Sequence, residues 1–319
     1  MRTPEMDPAI IIFGFGIGAM VGMTGMGGGT LMTPLLIFLF GVKPVTAIGT
    51  DIFYAAVTKT VGGWRHLKMG TVNLKLSYWL AAGSVPAAVA GVWAISILQS
   101  KVGEEELDSI VYALLGGTLL MVGIITLARA LILSNLIEER EDFELQRRHK
   151  IAAVSIGVTT GFVIGITSAG SGTVIAILLI AVFRLTPVKV VGTDVFHAAI
   201  LLWAAGVAHW VGGNVDFVLA GNILLGSVPG VVVGSHFANR APTGFLRTAL
   251  GVVLIASGLV TVQKGDPVVW PIAAVVAGIG LLLLIWFPRW WNERRVQREA
   301  AAEQQARDRS DDLAPDVIG

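Results

Sequence analysis

Residues 44–53 read PVTAIGTDIF, and residues 187–196 read PVKVVGTDVF. The two stretches lie 143 positions apart, and the same offset aligns the sequence on either side of them. Towards the N-terminus, Gly27, Gly29 and Thr30 fall on Gly170, Gly172 and Thr173. Towards the C-terminus, His66 and Gly70 fall on His209 and Gly213, and Gly83-Ser84-Val85-Pro86 falls on Gly226-Ser227-Val228-Pro229. The chain therefore contains two repeats. Internal repeats of apolar helices are a common build of secondary transporters.

Composition sets the solvent. Hydrophobic residues make up 54% of the 319 and charged residues 14%, against about 25% charged in soluble domains. Mean hydropathy is +0.75. So few charges do not cover a soluble surface, which excludes a soluble enzyme and a largely disordered chain. There is no cysteine, so thiol nucleophiles and thiolate metal sites are absent. A net charge of +1 provides no nucleic-acid footprint. No metal site or cofactor is expected. The expected surroundings are a lipid bilayer.

Apolar runs long enough to span occur at 9–41, 48–64, 76–98, 109–128, 151–183, 191–211, 218–238, 246–262 and 270–288. The N-terminus lacks the features of a signal peptide. These runs predict a first transmembrane repeat over 1–128 and a charged cytoplasmic connection at 129–150. A second repeat follows over 151–262, then an additional span at 270–288 and a polar cytoplasmic tail at 289–319. Runs 9–41 and 151–183 are each too long for one span and are broken by MTGMGGGT and ITSAGSGT. If both dip into the bilayer and return, the Arg- and Lys-bearing loops at 65–75, 129–150 and 239–247 fall inside with the tail. The acidic loop 99–108 then falls outside, as the positive-inside rule requires. The expected fold is all-α and polytopic. It has two inverted repeats, each a re-entrant broken helix plus three spans, and one extra C-terminal span.

The candidate chemistry lies at the breaks and in the repeated Gly-Thr-Asp. A helix start presents free N–H groups and about half a positive charge. Two such starts at mid-depth suit an anion. The first break brings Thr24, Gly27, Gly28, Gly29 and Thr30. The second brings Thr167, Ser168, Gly170, Ser171, Gly172 and Thr173. Tight packing of small residues is the other reading of these positions. Asp51 and Asp194 lie seven residues into helices that start at Pro44 and Pro187, where proline suits a first turn. A carboxylate at that depth requires a partner or a proton, unless it caps a half-helix. His197 follows Asp194 by three residues, on the same helix face. The two form either a proton-carrying pair or a plain internal hydrogen bond. Lys59 has Leu202 as its counterpart, so it is not a duplicated feature. It either snorkels to the inner face or binds the anion in a central cavity. His66 and His209, close to Trp64 and Trp210, are expected to sit at the membrane interface.

The Gly-rich break at 25–30, the PVTAIGTD/PVKVVGTD pair, the H-x-x-x-G-x-V-[ND] elements at His66 and His209 and the two GSVP turns together resemble the TauE/SafE-type sulfite exporter family. The resemblance covers about residues 9–262. It implies an inner-membrane permease for small sulfur-containing anions, such as sulfite or organosulfonates, linked to protons. Asp51 and Asp194 depart from the family pattern, in which many members carry serine after Gly-Thr. The expected function is export of such an anion. Import, and a non-transporting membrane scaffold subunit, are the alternatives. Deep polar residues at repeat-related positions favour transport, since a scaffold needs none. An enzyme is not expected, because no H-E-x-x-H or nucleophile–base pair occurs. A homodimer is compatible with the sequence, which does not fix the oligomeric state.

Overall fold

The computed structural model describes residues 6–24, 29–131, 145–170, 172–237 and 243–278. The elements are helices: α1 (Pro8–Thr24), α2 (Gly29–Phe40), α3 (Pro44–Lys68), α4 (Leu74–Lys101), α5 (Glu104–Leu131), α6 (Arg147–Thr167), α7 (Thr173–Leu178), α8 (Pro187–Val211), α9 (Phe217–Phe237) and α10 (Thr243–Lys264). A π-turn, Leu179–Phe183, continues α7. α6–α10 repeat α1–α5 in order, and at the 143 offset α3 matches α8 end to end. The additional span is described as helix only as far as residue 278. The 132–144 connection and the tail lie outside the described residues.

Among the described residues, α4, α5, α6, α8 and α9 are long and apolar enough to cross a membrane. α3 is as long as α8 but carries Asp51, Lys59, Arg65 and Lys68, which lower its hydropathy. Together with the repeat of elements, these helices make the chain a polytopic, all-α membrane protein.

Packing obeys the same offset as the sequence. The most extensive interfaces are α1 with α9, α4 with α6, α5 with α10 and α3 with α8. Glycine spacing explains the first two. Gly14, Gly18 and Gly22 lie against the backbone of Ile223, Ser227 and Val231. Their counterparts Gly157, Gly161 and Gly165 lie against Leu80, Ser84 and Ala88. Each contact pair maps onto the other by the repeat offset. Residues four apart share one helix face, and without side chains there the backbones come into contact.

These contacts also fix direction. In α1–α9 and in α4–α6 both numbers rise together, so each pair runs parallel. In α3–α8, Gly206 lies against Phe53 whereas Gly63 lies against Phe196, so the pair is antiparallel. In α5–α10, Gly116 faces Gly258 and Gly123 faces Gly251, again antiparallel. α3 and α8 are counterparts, as are α5 and α10. The counterpart helices of these two pairs therefore run in opposite directions.

The bundle has two chemically different ends. At one, Lys43 Nζ meets Glu104 Oε2 at 2.8 Å, Gln99 Nε2 donates to Asn214 Oδ1 at 3.3 Å, and the Asp266 N–H reaches Ser109 Oγ at 3.3 Å. At the other, Lys150 lies 5.2 Å from the centre of the Trp79 ring and the Asn73 N–H donates to Thr193 Oγ1 at 3.0 Å. The first end carries Asp7, Glu104, Glu105, Glu106, Asp108, Asp216 and Asp266. The second carries Arg65, Lys68, Lys75, Arg147, Arg148 and Lys150.

The glycine seams are directly testable. A Cβ on Gly161 would sit 2.6 Å from Ser84 Cα, and one on Gly18 2.7 Å from Ser227 Cα, while Gly16 has nothing within 4 Å. Gly161→Ala and Gly18→Ala should each lower thermal stability in detergent by about 1–3 kcal/mol, the usual cost of overpacking. Gly16→Ala should be neutral or slightly stabilising, since alanine is the better helix former.

Candidate functional site

The repeated Gly-Thr-Asp organises the centre, with each residue doing a different task. Gly49 lies against the backbone of Asn214, and Gly192 against Thr71. Thr50 Oγ1 accepts from the Asp216 N–H at 3.0 Å, as Thr193 Oγ1 does from Asn73. Asp216 and Asn73 are themselves helix caps. Asp216 Oδ1 accepts from Leu219 N at 2.9 Å, and Asn73 Oδ1 accepts from Leu76 N at 3.1 Å. Each Gly-Thr thus clamps the start of the opposite repeat's α9 or α4, and leaves the following aspartate pointing into the bundle.

Asp51 is fully buried. Its Oδ2 accepts from Thr33 Oγ1 at 2.6 Å and from Ser168 Oγ at 2.8 Å. Thr33 belongs to α2 of the same repeat, and Ser168 to the break of the other. Asp51 therefore ties the first repeat's short arm to the second repeat's break. Asp51 Oδ1 and Asp194 Oδ1 are buried and have no hydrogen-bond partner among the described residues. Lys59 is buried on the same helix as Asp51, and it interacts electrostatically with both carboxylates, more strongly with Asp194. The sequence alone pairs it with Asp51. The antiparallel register brings Asp194 nearer, because residues 62–63 of α3 lie beside 195–196 of α8.

His197 is fully buried. Its Nε2 is bonded to Ser84 Oγ at 2.8 Å, so its described partner is on α4, not Asp194 one turn earlier. Its counterpart Tyr54 is buried beside Ser227, the counterpart of Ser84. Sequence reasoning missed Tyr54, Ser84 and Ser227 as parts of the centre. The signal was present in the offset, which pairs Tyr54 with His197 and the two GSVP serines with each other.

The breaks are placed as follows. Thr24 ends α1 and Gly29 begins α2, with Thr30 buried beyond it. Gly27, Gly28 and Ser171 lie outside the described residues, as do the side-chain surroundings of Thr24. Ser168 caps α6 in the left-handed conformation, with φ 58°, and Gly170 follows with φ 100°. Thr167 Oγ1 donates to Val163 O at 2.8 Å and accepts from Ala169 N at 3.3 Å, so its hydroxyl is engaged by the local backbone. Gly172 precedes α7, and Thr173, its first residue, is buried.

The arms of the second broken helix are unequal: α6 has 21 residues and α7 with its π-turn runs only over Thr173–Phe183. Ser168 reaches Asp51, which lies about 10 Å from the start of α3 at 1.5 Å per residue, so α6 extends past the middle of the bundle. One expectation is corrected: His209 is not at the interface. It is fully buried, with Nε2 2.9 Å from Gly165 O in the last turn of α6. A buried imidazole needs such a partner. His66, by contrast, is only half-buried and meets Thr71 Oγ1 at 2.9 Å.

The Asp51 node predicts a double-mutant result. Thr33→Val keeps the shape and removes the donor, and Ser168→Ala removes the other. Each should lower stability by about 1–3 kcal/mol. In an Asp51→Ala background both costs should nearly vanish, since the acceptor is gone. Denaturation in detergent measures all three.

The comparisons with known proteins agree with this architecture. A family model described as sulfite exporter TauE/SafE matches residues 10–261. A probable membrane transporter protein of Bacillus subtilis, YjnA, is 38% identical over 254 residues, covering 80% of this chain and 99% of the relative. A second from the same organism, YdhB, is 26% identical over 250 residues, covering 78% and 98%. One from Methanocaldococcus jannaschii, MJ0441, is 30% identical over 179 residues, covering 54% and 61%. No solved structure matches. Doubled helices, paired broken arms and a family match over nearly all the apolar chain lead to one assignment: this is a multi-pass membrane transporter of the TauE/SafE sulfite exporter family.

Proposed function

We propose that the chain exports a small sulfur-containing anion, such as sulfite or an organosulfonate, through a site between the starts of α2 and α7. The observation that carries this reading is the placement of Lys59. An ammonium is buried on α3, within electrostatic range of Asp51 and Asp194. Burying an ion in a bilayer core costs about 2.5–3.5 kcal/mol on insertion scales, so such a residue marks a function. In the empty state the carboxylates balance Lys59. On loading, the anion takes over part of that balance, and the N–H groups at the two helix starts supply the rest. Thr30, Thr173 and the hydroxyls of the breaks add donors.

Charge also supports a proton partner. An ionised Asp51 or Asp194 repels the anion, so the loaded state is the one in which a carboxyl is protonated. Asp194 is the better candidate, because Asp51 Oδ2 is already held by the hydroxyls of Thr33 and Ser168. Opposed counterpart helices support a membrane arrangement in which the repeats are inverted, the broken helices are re-entrant and the basic end is cytoplasmic.

Lys59→Ala tests the reading. The variant should fold and insert, yet lose both sulfonate-dependent thermal stabilisation and transport. Lys59→Arg should keep part of the affinity but turn over slowly, because the guanidinium is larger and forked. Leu202→Lys should not restore function. Near-normal transport by Lys59→Ala at matched membrane levels would place the lysine outside the mechanism. With a sulfonate, whose own charge does not change near neutrality, wild-type stabilisation should increase as pH falls.

A further inference from the structure

Each repeat places a ring with a hydrogen-bonding group one turn after its aspartate. Tyr54 follows Asp51 on α3 and His197 follows Asp194 on α8, each by three residues, a spacing that shares a helix face. The two aspartates are not equally provided for. Asp51 Oδ2 accepts from the hydroxyls of Thr33 and Ser168. The positions related to these by the 143 offset are Ala176 and Gly25. Neither carries a hydroxyl, so the second repeat lacks the same two donors for Asp194.

His197 is tied on one side only. Its Nε2 lies 2.8 Å from Ser84 Oγ, while Nδ1 is buried with no hydrogen-bond partner among the described residues. The tautomer follows from the serine. Ser84 Oγ has no other hydrogen bond among the described residues, so its proton goes to Nε2, and Nδ1 then carries the ring N–H. The opposite arrangement, Nε2–H donating to the serine, strands the serine proton and the Nδ1 lone pair together. A buried N–H without a partner is costly and rare in a folded protein. One turn away on the same helix, Asp194 Oδ1 is also buried and unpartnered among the described residues. Lys59, on α3, acts electrostatically on both residues.

Building on the anion-transport reading, we propose that His197 Nδ1–H and Asp194 form a two-point contact for the transported anion, with Ser84 as the positioning residue that sets the ring. On that reading the carboxyl is protonated in the loaded state, so two donors stand one turn apart on α8. A sulfite or sulfonate, with its oxygens spread around one sulfur, accepts from both at once. The spacing favours an anion with several terminal oxygens over a single-atom anion such as chloride. In the first repeat Thr33 and Ser168 already take up Asp51 Oδ2, which leaves the second repeat better placed to hold the ligand.

Two substitutions separate the two ends of the ring. Asparagine at 197 keeps an N–H as close to Cβ as Nδ1 is, and gives up Ser84. Glutamine reaches Ser84 as Nε2 does, and gives up the Nδ1 donor. Affinity is read in the purified full chain from thermal stabilisation by methanesulfonate. His197→Gln should melt near the parent temperature and weaken methanesulfonate binding roughly tenfold, the loss expected for a hydrogen bond to a charged group. His197→Asn should melt lower yet bind within a few-fold of the parent. Ser84→Ala should weaken binding several-fold, because the ring is then free to change tautomer. Imidazole nitrogen NMR reads the tautomer with no anion present. The chain has five histidines, and His197→Asn identifies the signal, which should be that of Nδ1–H. The opposite order of affinities, retained in His197→Gln and lost in His197→Asn, makes the residue a structural tie between α4 and α8 and overturns the contact, as does an Nε2–H signal. A parent chain with the Nδ1–H signal that neither methanesulfonate nor sulfite stabilises removes the transport reading, and the anion assigned to this pair with it.

Discussion

Three ionisable side chains buried in one helix pair are the constraint on which the rest depends. Asp51 and Lys59 are buried on α3 and Asp194 on α8, in segments where hydrocarbon would otherwise surround them. Each would be costly alone. Antiparallel packing lets Lys59 act on both carboxylates, and the hydroxyls of Thr33 and Ser168 converge on one of them. The seam is therefore polar at its centre and can exist only because the remaining helices seal it from lipid.

That seal is made by close approach of backbones. The glycine rows of α1 and α6 dock on α9 and α4 of the opposite repeat. Neither repeat supplies its own partner for its long arm, so the two halves are interlocked rather than stacked. The Gly-Thr clamps on Asn214–Asp216 and Thr71–Asn73 fasten the same exchange at the two ends. One consequence is that the last turns of α1 and α6 are held by the opposite half. Ser168 on Asp51 is the described example.

Much of the fold is legible in the sequence, because the offset repeats glycine, proline and aspartate at positions where bilayer physics needs them. The helices, the two breaks and the burial of Asp51, Asp194 and His197 follow from that pattern. What is not legible depends on contacts between halves. Ser84 and His197 are 113 residues apart, and no local signal joins them. His209 looks interfacial beside Trp210, yet α6 covers it and Gly165 accepts its ring nitrogen. The depth of the second break depends on the length of α6, and charged residues at 147–150 hide where that helix begins. Lys59 is paired by sequence distance with Asp51, whereas helix register brings Asp194 closer.

The proposed site depends on counterpart helices running in opposite directions. In the cysteine-free chain, Gly62→Cys with Val195→Cys places two thiols across the seam, since a Cβ on Gly62 would lie 3.1 Å from Val195 Cγ1, within reach of a disulfide. Oxidation in membranes should cross-link this pair and leave Gly62→Cys with Ala205→Cys open, because residue 205 is about 15 Å further along α8 at 1.5 Å per residue. Cross-linking of 62 to 205 in place of 195 would mean that the repeats run parallel, and would contradict the interlocked, opposed arrangement on which the proposed site is built.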